Sequence, residues 1–168
     1  MTKNEEWILD LPEDVQAAVE PLFKDLPIDI AMQRLVVDLP ASAATVERVE
    51  KLFESPALAE RESLKAAIWL YVDDLDRSHK ICQGIEDETG SFWHGIMHRR
   101  EGDFSNSHHW FNQVGNHPVM ARIGDYDPHE FVTAVETRHA REPEDLITLQ
   151  RREWETLFAW CATEYGTG

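Results

Sequence analysis

The middle of the chain carries most of the residues that could do chemistry. Six of the eight histidines lie between positions 79 and 117, namely His79, His94, His98, His108, His109 and His117. On a predicted helix that begins near Ser91, His94 and His98 lie on one face, and Glu101 continues that face one turn later. Zinc binds neutral imidazole and carboxylate groups, and catalytic zinc keeps one position open for water. The spacing therefore predicts a divalent-metal site, zinc for example, on His94 and His98, completed by His79, Glu101, His108 or His117.

Two features of the same stretch argue against a metal. Gly95, Ile96 and Met97 separate the two histidines, so the glutamate of the His-Glu-x-x-His metalloproteases is missing. The neighbouring Arg99 and Arg100 would also oppose a cation. The alternative for His94 is a hydrogen-bonded histidine beside Trp93.

Arg99 and Arg100 support a different interpretation. Two guanidinium groups beside His98 could bind a carboxylate or phosphate in bidentate fashion. The predicted partner is then a small anionic molecule or an acidic peptide. Alternatively, the two arginines form partly buried ion pairs with acidic neighbours such as Glu101, Asp103 and the Asp73–Asp76 region.

Three further residues complete the predicted ligand site. Trp93 could form an apolar wall, although a tryptophan in such a pattern is more often core. Asn106 follows a turn and could orient a ligand through its amide. His117 precedes Pro118 at a predicted helix end, close to the same cluster.

Composition sets limits on the class of protein. The 168 residues suit one domain, 1–168, and 42% hydrophobic residues are enough for a folded core. A net charge of −16 opposes binding to nucleic acid and to anionic membrane surfaces. The longest apolar run, Ala66–Val72, is too short to span a bilayer. Two cysteines, Cys82 and Cys161, fall in apolar helical patterns, which favours a cytoplasmic protein without disulfides.

Helical periodicity dominates the chain and predicts an all-α protein of about eight to ten helices. Start signals precede several of the segments, at Pro12, Ser42, Ser55, Asp127 and Pro143. The segment between Pro27 and Pro40 is predicted to be a helix from Ile30 to Leu39. The Ser55 start is predicted to lead directly into the helix that carries Ile68.

A shift of 29 residues aligns part of the chain with itself. Asp74, Leu75, Ser78 and His79 then fall on Asp103, Phe104, Ser107 and His108. Each copy is predicted to be a helical hairpin of tetratricopeptide type, although that repeat is usually longer and needs more copies. Reuse of the same turn chemistry by two unrelated hairpins is the other explanation.

The stretch Ser91-Phe-Trp-His-Gly-Ile-Met-His-Arg-Arg-Glu-Gly-Asp-Phe-Ser-Asn-Ser107, with Trp110-Phe-x-x-Val-Gly-x-His-Pro118, resembles a signature of an uncharacterised family of bacterial and fungal proteins. The upstream Leu75-Asp-x-Ser-His79 belongs to the same pattern. The resemblance covers about residues 68 to 118 and implies no reaction, cofactor or catalytic residue.

These patterns support three hypotheses. The first is a small-molecule site, of hydrolase or lyase type, in which His94 or His98 acts as acid or base, Glu101 orients the histidine, and Arg99 or Arg100 holds an anionic group. The second is a tetratricopeptide-like module that binds a peptide. The third is a metal protein that uses His94 and His98. Histidines and arginines in one closed pocket favour the first hypothesis, whereas the same residues spread along an open face favour the module. Elemental analysis distinguishes the third.

Overall fold

Ten α-helices and two short 3₁₀ helices make up the computed structural model, which describes residues 6–166. The α-helices are α1 Glu13–Asp25, α2 Ala43–Leu52, α3 Pro56–Ala59, α4 Glu62–Tyr71, α5 Leu75–Cys82, α6 Glu88–Glu101, α7 Phe104–Val114, α8 Pro118–Ile123, α9 Pro128–Arg138 and α10 Glu144–Thr163. The 3₁₀ helices are Glu6–Asp10 and His139–Arg141. No strand occurs in this part of the chain. The predicted all-α, single-domain class and the number of helices are therefore confirmed.

Local chemistry sets most of the helix starts. The Ser42 and Ser55 side chains accept hydrogen bonds from the first turns of α2 and α3. The Asp127 carboxylate accepts from two backbone N–H groups of α9, whose first residue is a proline. These side chains satisfy backbone donors that have no partner within the helix, as the sequence predicts.

The predicted helix from Ile30 to Leu39 is wrong. Residues 27–41 form turns and irregular backbone, with Met32 in the left-handed region at φ 53°. Side chains from other helices take the hydrogen bonds that a helix would have supplied. Arg100 donates to the carbonyl of Arg34, and Gln150 donates to the carbonyl of Met32. Tertiary contacts therefore override the local apolar pattern.

The helix predicted to run on from Ser55 is divided in two. Helix α3 ends at Ala59, and α4 begins at Glu62. Between them, the Arg61 guanidinium donates to the carbonyls of Cys161 and Ala162 near the end of α10, at 2.9 and 3.0 Å. A cation at a helix C-terminus satisfies carbonyls that lack partners, so this break joins α4 to α10.

The 29-residue repeat is visible as two equivalent hairpins, α4–α5 and α6–α7. Asp73 and Gly102 occupy the left-handed region at φ 64° and 85°, and Asp74 and Asp103 cap the second helix of each pair. The Ser78 hydroxyl donates to the carbonyl of Ala66 at 2.8 Å, and the Ser107 hydroxyl donates to the carbonyl of Gly95 at 2.7 Å. The relation of these hairpins to tetratricopeptide repeats stays a prediction.

Helix α6 lies at the centre of the molecule and packs against α4, α5 and α7. Every residue from Phe92 to Arg100 is buried, so this helix has no exposed face over two turns. Close packing with α7 requires Gly95, because a Cβ atom there would lie 2.9 Å from the Phe111 ring. The polar side chains of α6 must therefore find partners inside the protein.

An aromatic layer lies between α10 and the first part of the chain. Trp154 stacks on Phe158 and contacts Tyr71, and its indole N–H donates to the carbonyl of Ala67 at 2.8 Å. Cys82 and Cys161 are buried free thiols. Within residues 6–166, no helix combines the length and apolarity needed to cross a membrane.

Candidate functional site

Three histidines meet between α5 and α6. The ring centroids of His79 and His94 are 4.8 Å apart, those of His79 and His98 are 5.3 Å apart, and those of His94 and His98 are 4.8 Å apart. One ring nitrogen of each lies within 4.8 Å of the others. We call these three residues the histidine triad.

The helices place each member of the triad. His94 and His98 are one turn apart on α6, and their rings stack with an angle of 16° between the planes. His79 comes from α5, which the Asp74 cap and the Ser78 hydrogen bond hold against the preceding helix. The triad thus depends on the α4–α5 hairpin folding back onto α6.

Trp110 of α7 covers the triad from another side. Its ring stacks on His94 with centroids 3.8 Å apart and planes 12° apart. His94 is only 4% exposed and His98 only 6% exposed, whereas His79 is half-buried. Two of the three imidazoles are therefore largely shielded from water, whereas His79 is partly exposed to solvent.

Glu101 holds His98. Its Oε1 lies 2.6 Å from Nδ1 of His98, which leaves Nε2 of that ring for another partner. Among residues 6–166, no hydrogen bond engages the ring nitrogens of His79 or His94. The ring nitrogens of His79 and His94 are therefore available to bind a ligand.

The environment favours the neutral form of the His79 and His94 rings. Burial, and then the neighbouring His98 and His79, lower the pKa of His94 to about 3. Burial also lowers the pKa of His79, with His98 as the next cause. Neutral imidazoles keep the lone pairs that a metal ion needs.

A second group of possible metal ligands overlaps the triad. Atoms of His98, Glu101 and Asp103 also lie within 4.8 Å of one another. Both Asp103 oxygens, however, accept hydrogen bonds from Asn106 at the start of α7. Asp103 therefore serves as a helix cap. The two groups share His98, whose ring contacts Glu101.

A cavity of about 360 Å³ opens beside the triad and is lined by His79 and Glu101. Its apolar wall consists of Val37, Leu39, Pro40, Leu75 and Met97. Its other lining residues are the carboxylates Asp38, Asp74 and Asp76. No arginine or lysine contributes to this lining.

The predicted anionic partner is wrong. Arg99 and Arg100 are fully buried, and neither borders the cavity. Arg99 forms a bidentate pair with Glu153 at 2.8 and 2.9 Å. Arg100 bonds to Asp73 at 2.5 Å and to the carbonyls of Leu70 and Arg34. Neither guanidinium is available to a small anion or to an acidic peptide, and the buried ion pairs are the interpretation that the structure supports.

The other predicted ligand residues lie apart from the triad. Trp93 is fully buried in the core. Asn106 is exposed and bonds to Asp103. His117 accepts a hydrogen bond from the Val119 N–H at Nδ1, and its Nε2 lies 3.1 Å from the Thr89 hydroxyl. Both nitrogens of His117 thus have partners, and burial lowers its pKa to about 4.

The sequence suggested His79 only as one of four candidates for a third ligand. Of the other three, Glu101 bonds to His98, His108 pairs with His129 on α9 at 2.8 Å, and His117 caps α8. Trp110 stacks on His94, a contact that the sequence did not predict. Asp38 lies in the segment that was predicted to be a helix, so its place in the cavity lining was not predicted.

The chain was compared with known proteins in three ways. No protein-family model, curated protein or solved structure matches it. The resemblance to the bacterial and fungal signature stays a prediction, and the site must be interpreted from its own geometry.

Proposed function

We propose that this protein binds one divalent transition-metal ion, zinc in the first instance, through His79, His94 and His98. The observation that carries the proposal is the convergence of three imidazole nitrogens, within 4.8 Å of one another. Two of those rings have no hydrogen bond in the described part of the chain. Three histidines are a ligand set that zinc uses in catalytic sites.

The distances suit such an ion after a small closure. Zinc bonds to imidazole at 2.0–2.1 Å, so three ligand nitrogens around it would be about 3.3 Å apart. Rotation of the half-buried His79 ring would bring its nitrogen closer to those of His94 and His98. Glu101 also fits, because a histidine that binds a metal usually donates its other N–H to a carboxylate.

Arg99 and Arg100 do not oppose a cation here. Glu153 and Asp73 neutralise their charges on other sides of α6. The carboxylates around the cavity add negative potential beside the triad. Local charge therefore attracts a divalent cation.

The proposed reaction class is metal-assisted hydrolysis. A bound zinc ion would polarise a substrate carbonyl or lower the pKa of a water molecule. Three protein ligands leave a fourth position for water or substrate, and the cavity beside His79 offers access to it. Glu101 would orient His98 by accepting a hydrogen bond from its Nδ1–H, which leaves Nε2 for the metal. The triad is one closed group and is not a row along an open groove, which supports this proposal over the peptide-binding module.

Metal content of the purified, tag-free chain tests the proposal by elemental mass spectrometry. We expect about one zinc ion per chain after incubation with zinc and removal of the excess. His79→Asn should lose it with the fold intact, since His79 is half-buried and its ring makes no hydrogen bond here. His139→Asn is the matched control and should keep it. No bound metal in the reconstituted wild type, or equal metal in both variants, would overturn the proposal.

A further inference from the structure

The cavity beside the triad is lined by one member of the triad and by the carboxylate that contacts another. His79 belongs to the triad, and Glu101 holds His98. At about 360 Å³ the cavity lies at the small end of ligand sites, which span about 300–1,000 Å³. A ligand of this site is therefore a small molecule that would lie next to the metal.

The charges of the lining have one sign. Asp38, Asp74, Asp76 and Glu101 all border the cavity, with no cationic side chain among the lining residues. Asp74 and Asp76 have ion-pair partners, Arg77 and Lys80. Asp38 has none within residues 6–166. The exposed Asp38 carboxylate is therefore a charged group of the lining that could pair with a cationic ligand.

The rest of the cavity lining is largely apolar. Leu39 is 69% exposed, one of the three large apolar side chains that the described chain exposes most, and it lies next to Asp38. Leu75 and Met97 form the buried part of the wall. A ligand that satisfies both walls carries a positive charge at one end and a short aliphatic part.

We propose that the cavity binds small organic cations, alkylammonium compounds in the first instance, with the charge at Asp38 and the aliphatic part against Leu39 and Met97. This inference rests on the proposed function, since it names the substrate class of the same site.

Calorimetric titration of the zinc-loaded full-length protein tests the inference. The probes are n-pentylammonium and its isosteres 1-pentanol and pentanoate, at neutral pH and low salt. We expect pentylammonium to bind, the alcohol to bind at least tenfold more weakly, and pentanoate not to bind. Asp38→Asn should weaken pentylammonium binding about tenfold, because it removes the nearest charge. Asp29→Asn, the same change at an exposed site away from the cavity, should have no effect.

The outcomes separate this inference from the metal proposal. Metal content is measured on the same samples. Stoichiometric zinc without pentylammonium binding, or with equal binding of the alcohol, would overturn the inference and leave the metal proposal standing. Binding that depends on Asp38 in a protein that holds no zinc would support the cationic site and overturn the metal proposal. Equal affinities of Asp38→Asn and Asp29→Asn would also refute the inference.

Discussion

His98 connects the two halves of the candidate site. One ring nitrogen contacts the Glu101 carboxylate, and the ring stacks on His94 in the triad. A carboxylate in this position fixes the ring orientation and raises its basicity. The Glu101 side chain is 40% exposed, so its replacement should disturb the site more than the fold.

We expect Glu101→Gln to lower zinc affinity 10- to 100-fold, the range typical of groups that support a ligand histidine. The free energy of unfolding should change by less than about 0.5 kcal/mol. Competition with a chromogenic chelator measures the affinity, and urea denaturation measures the stability. Glu136→Gln, an exposed site on α9, is the control. Unchanged affinity in Glu101→Gln would show that the carboxylate does not support His98.

Arg99 and Glu153 form the most buried ion pair in the described structure, with both side chains at 0% exposure. Tyr126 also donates to the Glu153 carboxylate, and Phe131 lies under the guanidinium at 4.1 Å. Loss of one partner leaves the other charge buried without compensation.

Glu153→Ala should therefore cost about 3–5 kcal/mol of unfolding free energy. Glu136→Ala, at an exposed position of α9, should cost less than about 0.5 kcal/mol. Chemical denaturation of both variants measures these changes in unfolding free energy. A loss below about 1 kcal/mol for Glu153→Ala would mean that the pair contributes little to the junction of α6 and α10.

At the level of helices, the two hairpins use the same device to hold their second helix. In each, a serine hydroxyl reaches back twelve residues to a carbonyl of the first helix. Both hydroxyls are fully buried, and each satisfies a carbonyl acceptor. Removal of either hydroxyl should therefore destabilise the protein to the same extent.

Ser78→Ala and Ser107→Ala should each lower the unfolding free energy by about 1–2 kcal/mol, the cost of a buried hydrogen bond with one partner removed. The exposed Ser105→Ala is the control and should change it by less than about 0.5 kcal/mol. Zinc binding should weaken more in Ser78→Ala, because that serine positions the helix that carries His79. A loss at only one serine would show that the hairpins are not energetically equivalent.

For the molecule as a whole, buried histidines couple stability to pH. The pKa of His117 is about 4 in the folded chain, against about 6.5 when unfolded. Between these values the unfolded state binds more protons than the folded state, so stability rises with pH. The contribution of His117 is complete above about pH 6.5 and is lost as the pH falls towards 4.

His117→Asn should flatten this dependence, because asparagine can cap α8 without titrating. Between pH 7 and pH 4 the wild type should lose about 3 kcal/mol more than the variant. Urea denaturation at several pH values gives both curves, with the exposed His109→Asn expected to follow the wild type. Parallel curves for His117→Asn and the wild type would mean that His117 titrates normally in the folded chain.

The sequence by itself determined the features written in local chemistry. Capping serines and aspartates, prolines at first turns and helical periodicity are all short-range signals, and they placed most helices. The spacing of His94 and His98 likewise put the two rings on one face. The 29-residue shift identified the two hairpins, because turns and caps are encoded over a few residues.

Only the tertiary structure decided which of these side chains meet. The sequence could not select His79 over the other candidates, since the packing of α5 on α6 depends on contacts made across the whole domain. It also left the partners of Arg99 and Arg100 open. Glu153 lies 54 positions beyond Arg99, and burial turns that pair into a structural contact. The Ile30–Leu39 segment failed as a helix for the same reason, because distant side chains satisfy its backbone.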